Sequence, residues 1–259
     1  MKTQSRVLSL FALLSACLVM GHFKFPALNR YEIASKQCVL VDVAEGYGSG
    51  VCIRRTDPSG QVKWFVWTAA HVVGSDFSPK VEIYNRRAEH VSFPARVIAI
   101  NHELDAALLS VEGDLPRQPA EFSDSEPPRL GDNIFLIGSP HGPGFFNTVC
   151  FGQISRVGVN PEYPGWCWEY ATDQVSANVF HGQSGGPVFN QSGEVLGLVV
   201  GGVGEHLDVY TTTREIRKWC ASSGLGWALS GVSCPWMLSG SFNVPAISLD
   251  WDVPTGHSL

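Results

Sequence analysis

The 259 residues carry 18 Lys and Arg against 24 Asp and Glu, a formal net charge of −6, and only 16% of the chain is charged. That balance supplies no basic footprint for a nucleic acid and excludes nucleic-acid binding as the main role. The chain is long enough to bury a large core, and its 27 Gly and 16 Pro are spread along it rather than gathered in one tract, which favours many turns between short strands.

Residues 1–22 open with Lys2 and Arg6 and continue as a nearly unbroken apolar run from Val7 to Gly21. A basic head before a short apolar segment predicts a signal peptide or a membrane anchor, with residues 7–21 as the possible tether and Cys17 in a lipobox-like setting. Export follows, to an extracellular, periplasmic or lumenal space. With Cys17 set aside, Cys38, Cys52, Cys150, Cys167, Cys220 and Cys234 form an even set that suits an oxidising compartment. Pairing of nearest neighbours (38 with 52, 150 with 167, 220 with 234) is expected, because each pair would close a short loop.

Strands begin near residue 36. Cys38-Val39-Leu40-Val41-Asp42-Val43 is β-branched, Gly48-Ser49-Gly50 turns into Val51-Cys52-Ile53-Arg54, and Asp57-Pro58-Ser59-Gly60 predicts a hairpin into Val62-Lys63-Trp64-Phe65-Val66-Trp67. That hairpin delivers Thr68-Ala69-Ala70-His71, where small residues let the backbone pack closely while an imidazole projects outward as a general base. Further strands are expected at 81–84 and 93–100. Asp105 then stands at the mouth of the apolar run Ala106-Ala107-Leu108-Leu109, placed to orient an imidazole and stabilise its charged form. Residues 112–130 read as a strand-poor linker, and a second set of strands starts at Asn133-Ile134-Phe135-Leu136-Ile137-Gly138.

The stretch His181-Gly182-Gln183-Ser184-Gly185-Gly186-Pro187 sets one serine among three glycines. Glycines let a tight loop turn its amide N–H groups onto one point, so Ser184 reads as a nucleophile, with the N–H groups of Gly182 and Ser184 forming an oxyanion hole. Strands flank the turn Gln191-Ser192-Gly193, and residues 211–220 form the one convincing helix, closed near Gly224. The eight histidines contain no His-Xaa-Xaa-Xaa-His pair and the cysteines no Cys-Xaa-Xaa-Cys pair, so neither a metal site nor a cofactor is expected.

Several of these stretches, taken in order, resemble the chymotrypsin-like serine proteases, and more closely their HtrA-type branch: Gly48-Ser49-Gly50, Thr68-Ala69-Ala70-His71, Asp105-Ala106-Ala107-Leu108-Leu109, Ile137-Gly138-Ser139-Pro140, Gly152-Gln153-Ile154-Ser155, Thr172-Asp173 and Gly182-Gln183-Ser184-Gly185-Gly186-Pro187. The resemblance covers about residues 40–220. It implies an all-β fold of two six-stranded antiparallel β-barrels with a C-terminal helix, one barrel over 36–118 and the other, with the helix, over 128–222. Residues 223–259 are then a tail of unknown role, without the pattern of the peptide-binding PDZ domain that HtrA enzymes usually carry, and no Ile-Val-Gly-Gly-like start points to trypsin-style zymogen activation.

The resemblance implies a serine endopeptidase that acts on polypeptides through His71, Asp105 and Ser184 and an acyl-enzyme. It places the walls of the specificity pocket at Val179 and Phe180 on one side and at Val199, Val200, Gly201, Gly202 and Val203 on the other. With no carboxylate around Asn178, an apolar residue on the acyl side of the cut is expected; His181 and His206 leave room for selection of Gln or Glu. The alternatives are a viral or phage protease that processes a polyprotein and a binding scaffold that has lost turnover, though all three triad members are present. The oligomeric state is not legible.

Overall fold

The computed structural model describes residues 29–85, 89–124, 127–159, 172–202 and 207–229. The leader with Cys17, and also Cys167, Val203, His206, Cys234 and the tail from residue 230, lie outside the described residues. Twelve described strands close into two antiparallel barrels, as the motif order implies. The first comprises β1 (Cys38–Val43), β2 (Gly46–Thr56), β3 (Val62–Thr68), β4 (Lys80–Tyr84), β5 (His90–Asn101) and β6 (Ala106–Val111), hydrogen-bonded in the order β1-β2-β3-β6-β5-β4. The second comprises β7 (Asn133–Gly138), β8 (Thr148–Val159), β9 (Thr172–Val175), β10 (Pro187–Phe189), β11 (Val195–Gly202) and β12 (Asp208–Thr212), in the order β10-β11-β12-β9-β8-β7.

Local chemistry sets these elements. In the β2–β3 turn, Asp57 Oδ1 accepts from the N–H groups of Ser59 and Gln61, both at 2.9 Å, which pins the register that pairs Thr56 with Val62. Period-two alternation then sends one face of the first barrel inward, where Val39, Val41, Cys52, Val66, Val81 and Leu109 pack together. The second barrel is filled by Ile134, Leu136, Ile154, Val188, Val199 and Tyr210. A third cluster lies between the barrels and joins Trp67, Leu104 and Leu108 of the first to Phe135, Phe189 and Leu198 of the second. Each fully buried large side chain there contributes roughly 1.5–3 kcal/mol, which fixes one barrel against the other. The linker is stitched to both: Ala120 N–H donates to Cys52 O at 2.8 Å, and Ser123 N–H to Val195 O at 2.9 Å.

Three short α-helices, α1 (Arg30–Ser35), α2 (Ala70–Val73) and α3 (Thr213–Ser222), and two single 3-10 turns, Pro143–Phe145 and Gly226–Ala228, accompany the described strands. Helix α3 starts two residues later than the sequence pattern suggests. Thr211 and Thr212 still pair with Leu198 and Gly197 in the β11–β12 ladder, and Thr212 then caps the helix by accepting from Glu215 N–H. Helix α1 was not expected. Its signal is the capping box of Asn29 and Glu32, in which Asn29 Oδ1 accepts from Glu32 N–H at 3.0 Å and Glu32 Oε2 from Asn29 N–H at 2.8 Å.

The disulfide expectation fails where it can be followed. Cys38, Cys52, Cys150 and Cys220 are free thiols. Cys38 lies opposite Val51 in the β1–β2 register, so Cys52, one residue further along β2, points to the other face of the sheet. Cys38 thus belongs to the core between the barrels and Cys52 to the interior of the first. Burial pushes the Cys52 thiol up to about 12 and that of Cys38 well above its ordinary value, so both stay protonated.

Candidate active site

His71 projects from α2, whose neighbours Ala69 and Ala70 are buried and small enough to let the helix sit tight against the first barrel. Asp105 lies just before β6 and grips it twice: Oδ1 accepts from His71 N–H at 2.8 Å, and Oδ2 is 2.6 Å from His71 Nδ1. A carboxylate facing Nδ1 favours the tautomer with its proton there and leaves Nε2 free to accept one. The Asp105 side chain is 11% exposed and the His71 side chain 48%, so the carboxylate is sheltered while the ring reaches solvent. Asp105 holds a left-handed backbone with φ of 52°, which Asp tolerates. The preceding residue ties it to the second barrel, because Leu104 O accepts from Thr211 Oγ1 at 2.7 Å.

Ser184 arrives from the other side of the seam. Ser49 N–H on β2 donates to Ser184 O at 2.8 Å, and Gly185 N–H donates to Val199 O at 2.7 Å. Gly185 has φ of 79°, and a Cβ there would collide with Ser49 O and Thr68 Oγ1 and come within 2.7 Å of Ala69 N. Only a glycine lets the loop press against the segment that leads into His71. His71 and Ser184 share no hydrogen bond in this structure.

Two peptide carbonyls of the loop around Ser184 are tied back. His181 O accepts from His141 N–H at 2.7 Å and Gln183 O from Gly186 N–H at 2.9 Å. In a trans peptide the N–H points opposite the carbonyl, so Gly182 N–H and Ser184 N–H are both aimed away from these anchors. Among the described residues neither N–H meets an acceptor. The fully buried Gln183 braces the turn from inside, with Oε1 accepting from Phe180 N–H at 2.8 Å.

Residues 48–198 match the family described as the trypsin-like peptidase domain. The chain belongs to the trypsin-like peptidases. It is similar to the serine protease Do-like HtrA of Bacillus subtilis, with 29% identity over 159 residues, 61% of this chain and 34% of that protein. It is also similar to a probable periplasmic serine protease do/HhoA-like of Haemophilus influenzae, 31% identical over 59% of this chain and 30% of that protein. The chain therefore spans about a third of the length of these curated relatives. Among solved structures, Rv3671c of M. tuberculosis in an inactive form aligns with a TM-score of 0.60 and 25% identity, over 75% of this chain and 90% of that one. The MamO protease domain of Magnetospirillum magneticum, 18% identical with a TM-score of 0.60 over 73% of this chain and 98% of that one, shares the fold.

In this trypsin-like peptidase the expected pocket residues separate. Val179 packs against the second-barrel cluster that holds Val199, and Phe180 is half-exposed. Val200 faces the seam instead, with Ala69, Val72 and Val209. Gly201 pairs with Val209 and Gly202 with Asp208. Sequence reasoning missed two residues here. Asp208 is a buried carboxylate on β12, set so close to Gly202 that a Cβ there would collide with Oδ1. Ser49, fully buried, donates from Oγ to Gly182 O at 2.7 Å and accepts from Ser139 N–H at 2.9 Å. The Gly48-Ser49-Gly50 motif was visible, but nothing in its spacing shows which loop the hydroxyl reaches. Among the described residues no three His, Cys, Asp or Glu side chains are grouped to hold a metal ion.

Proposed function

We propose that the protein is a serine endopeptidase with His71, Asp105 and Ser184 as its triad. Ser184 Oγ attacks the substrate carbonyl while His71 Nε2 takes its proton; Asp105 holds the ring and stabilises the imidazolium. The N–H groups of Gly182 and Ser184 bind the oxyanion. His71 returns the proton to the leaving amine, an acyl-enzyme remains on Ser184, and water attacks it by the same route in reverse. What supports the reading is the doubly held His71–Asp105 pair together with a serine loop that presses at Gly185 against the segment leading into His71 and has the carbonyls of His181 and Gln183 tied back.

The substrates are polypeptides. Partly buried Val179 and half-exposed Phe180, just before the serine loop, suit an apolar residue on the acyl side of the cut. The Asp208 carboxylate beside Gly202 favours a second reading, a basic side chain on the acyl side of the cut. Residues 1–22 and the kinship with a relative named periplasmic support export. Among the described residues no helix is long and apolar enough to cross a membrane.

The test is labelling by a fluorophosphonate together with digestion of a peptide library. Wild-type protein should label and cleave, and Ser184→Ala should do neither; labelling that survives Ser184→Ala overturns the nucleophile. Cleavage confined to bonds after Lys or Arg, and lost in Asp208→Asn, overturns the apolar preference in favour of the basic one.

A further inference from the structure

The oxyanion hole hangs on a glycine. Gly182 has φ of 95°, and with no Cβ its own torsions do not hold it in one conformer. What holds it is the anchoring of the carbonyls on either side. The upstream one, His181 O, is fixed by the main-chain N–H of His141 at 2.7 Å. The downstream one, Gly182 O, is fixed by a side chain, the hydroxyl of Ser49 at 2.7 Å.

Ser49 is suited to be a fixed point. It is fully buried, and its main chain is locked in the β1–β2 ladder opposite Leu40. Its remaining groups reach three other segments: N–H to Ser184 O at 2.8 Å, C=O from Thr68 Oγ1 at 2.8 Å, and Oγ from Ser139 N–H at 2.9 Å while donating to Gly182 O. The one hydroxyl proton is thereby committed, because the Ser139 N–H already fills the acceptor side and points the proton toward Gly182. The first barrel thus sets, through one residue, both the Ser184 carbonyl and the peptide after the first oxyanion donor.

We infer that Ser49 is a positioning residue for the oxyanion hole, holding the Ser184 carbonyl and the 182–183 peptide so that the stretch linking the two donors, Gly182 N–H and Ser184 N–H, keeps the shape that meets the transition-state oxygen. The inference rests on the assignment of Ser184 as nucleophile. Loss of the hydroxyl leaves Gly182 O without its buried donor and the 182–183 peptide held only through Gln183 N–H to Phe180 O at 3.0 Å, so the stretch between the two donors loosens and the hole is correctly formed only part of the time. Ground-state binding, made elsewhere along the cleft, is spared.

The test uses the full chain and a chromogenic peptide ester. Ser49→Ala should lower kcat about 10- to 100-fold, less than the loss of a whole donor, with KM changed by less than about threefold. Affinity for a matching peptide boronate, whose tetrahedral oxygen occupies the hole, should fall by a similar factor, while affinity for the cleaved peptide acid stays. Unchanged kcat, a rise in KM alone, or a boronate affinity that stays while kcat falls overturns the inference. If Ser49→Ala does not fold, Ser49→Cys carries the test, since a thiol of similar shape is a weak donor: a fall in kcat supports the role and wild-type kcat overturns it. Ser184→Ala is measured beside them. Turnover surviving there defeats the nucleophile assignment; its loss, together with normal kcat in Ser49→Ala, defeats the Ser49 role alone.

Discussion

Replacing Asp105 by Asn isolates the electrostatic part of the site from its architecture. Asn keeps an oxygen where Asp105 Oδ1 accepts from His71 N–H at 2.8 Å, and it tolerates the left-handed backbone at φ of 52°. The fold should survive, with a melting temperature within about 3 °C of wild type. What changes is the second contact. At the Oδ2 position, 2.6 Å from His71 Nδ1, an NH2 group now donates, so the neutral ring must carry its proton on Nε2, where it can no longer accept one from Ser184. The imidazolium also loses its counter-charge in a sheltered place. Together these should lower kcat about 10⁴-fold, or roughly 5 kcal/mol of barrier. Steady-state hydrolysis of a peptide ester, with the rate of fluorophosphonate labelling measured on the same samples, reads this directly. A variant that folds and keeps kcat within about tenfold of wild type refutes the placing of His71 and Asp105 at the chemistry.

Gly182→Ala would put a Cβ 2.5 Å from Ser139 O at a φ of 95°, so the loop must shift; kcat should fall about 10²- to 10³-fold in steady-state assays while KM changes little. Cys38 and Cys52, buried and with raised thiol pKa values, should resist a thiol-specific disulfide reagent at pH ~8 in the native protein and react on unfolding, whereas a linked 38–52 peptide in a non-reducing digest contradicts the fold. Burial, and then the nearby Glu82 carboxylate, raise the pKa of Asp42 above its ordinary 3.8, so its ionisation opposes folding as the pH rises past 3.8 and does so fully above the raised value. Asp42→Asn should therefore unfold at higher urea than wild type at neutral pH, and the gap should close as the pH falls towards 3.8; a gap that widens on acidification shows the sign to be wrong.

The barrels were legible because their strands obey short-range rules: β-branched runs, alternation, and a turn such as Asp57 to Gly60 that needs only its own residues. The His71–Asp105 contact could be anticipated because each residue sits in a recognisable local setting, although 34 residues apart along the chain. What stayed hidden depends on which face a residue presents and on who arrives opposite. Cys38 and Cys52 look ready to pair until the register sends them to opposite faces. Helix α1 could have been found, since Asn29 followed by Glu32 is a capping box in plain text. Asp208 and Ser49 could not, because their meaning comes from Gly202 across a ladder and from Gly182 in the other barrel.

The division of labour between the barrels sets when the molecule becomes dangerous. The imidazole and its carboxylate belong to the first barrel, but the serine loop is drawn into place by the second barrel's β11 and by a strand of the first, through Gly185 N–H to Val199 O and Ser49 N–H to Ser184 O. On the proposed triad, a nascent chain with only its leading half folded owns a base without a target, and cutting power waits until the two barrels dock.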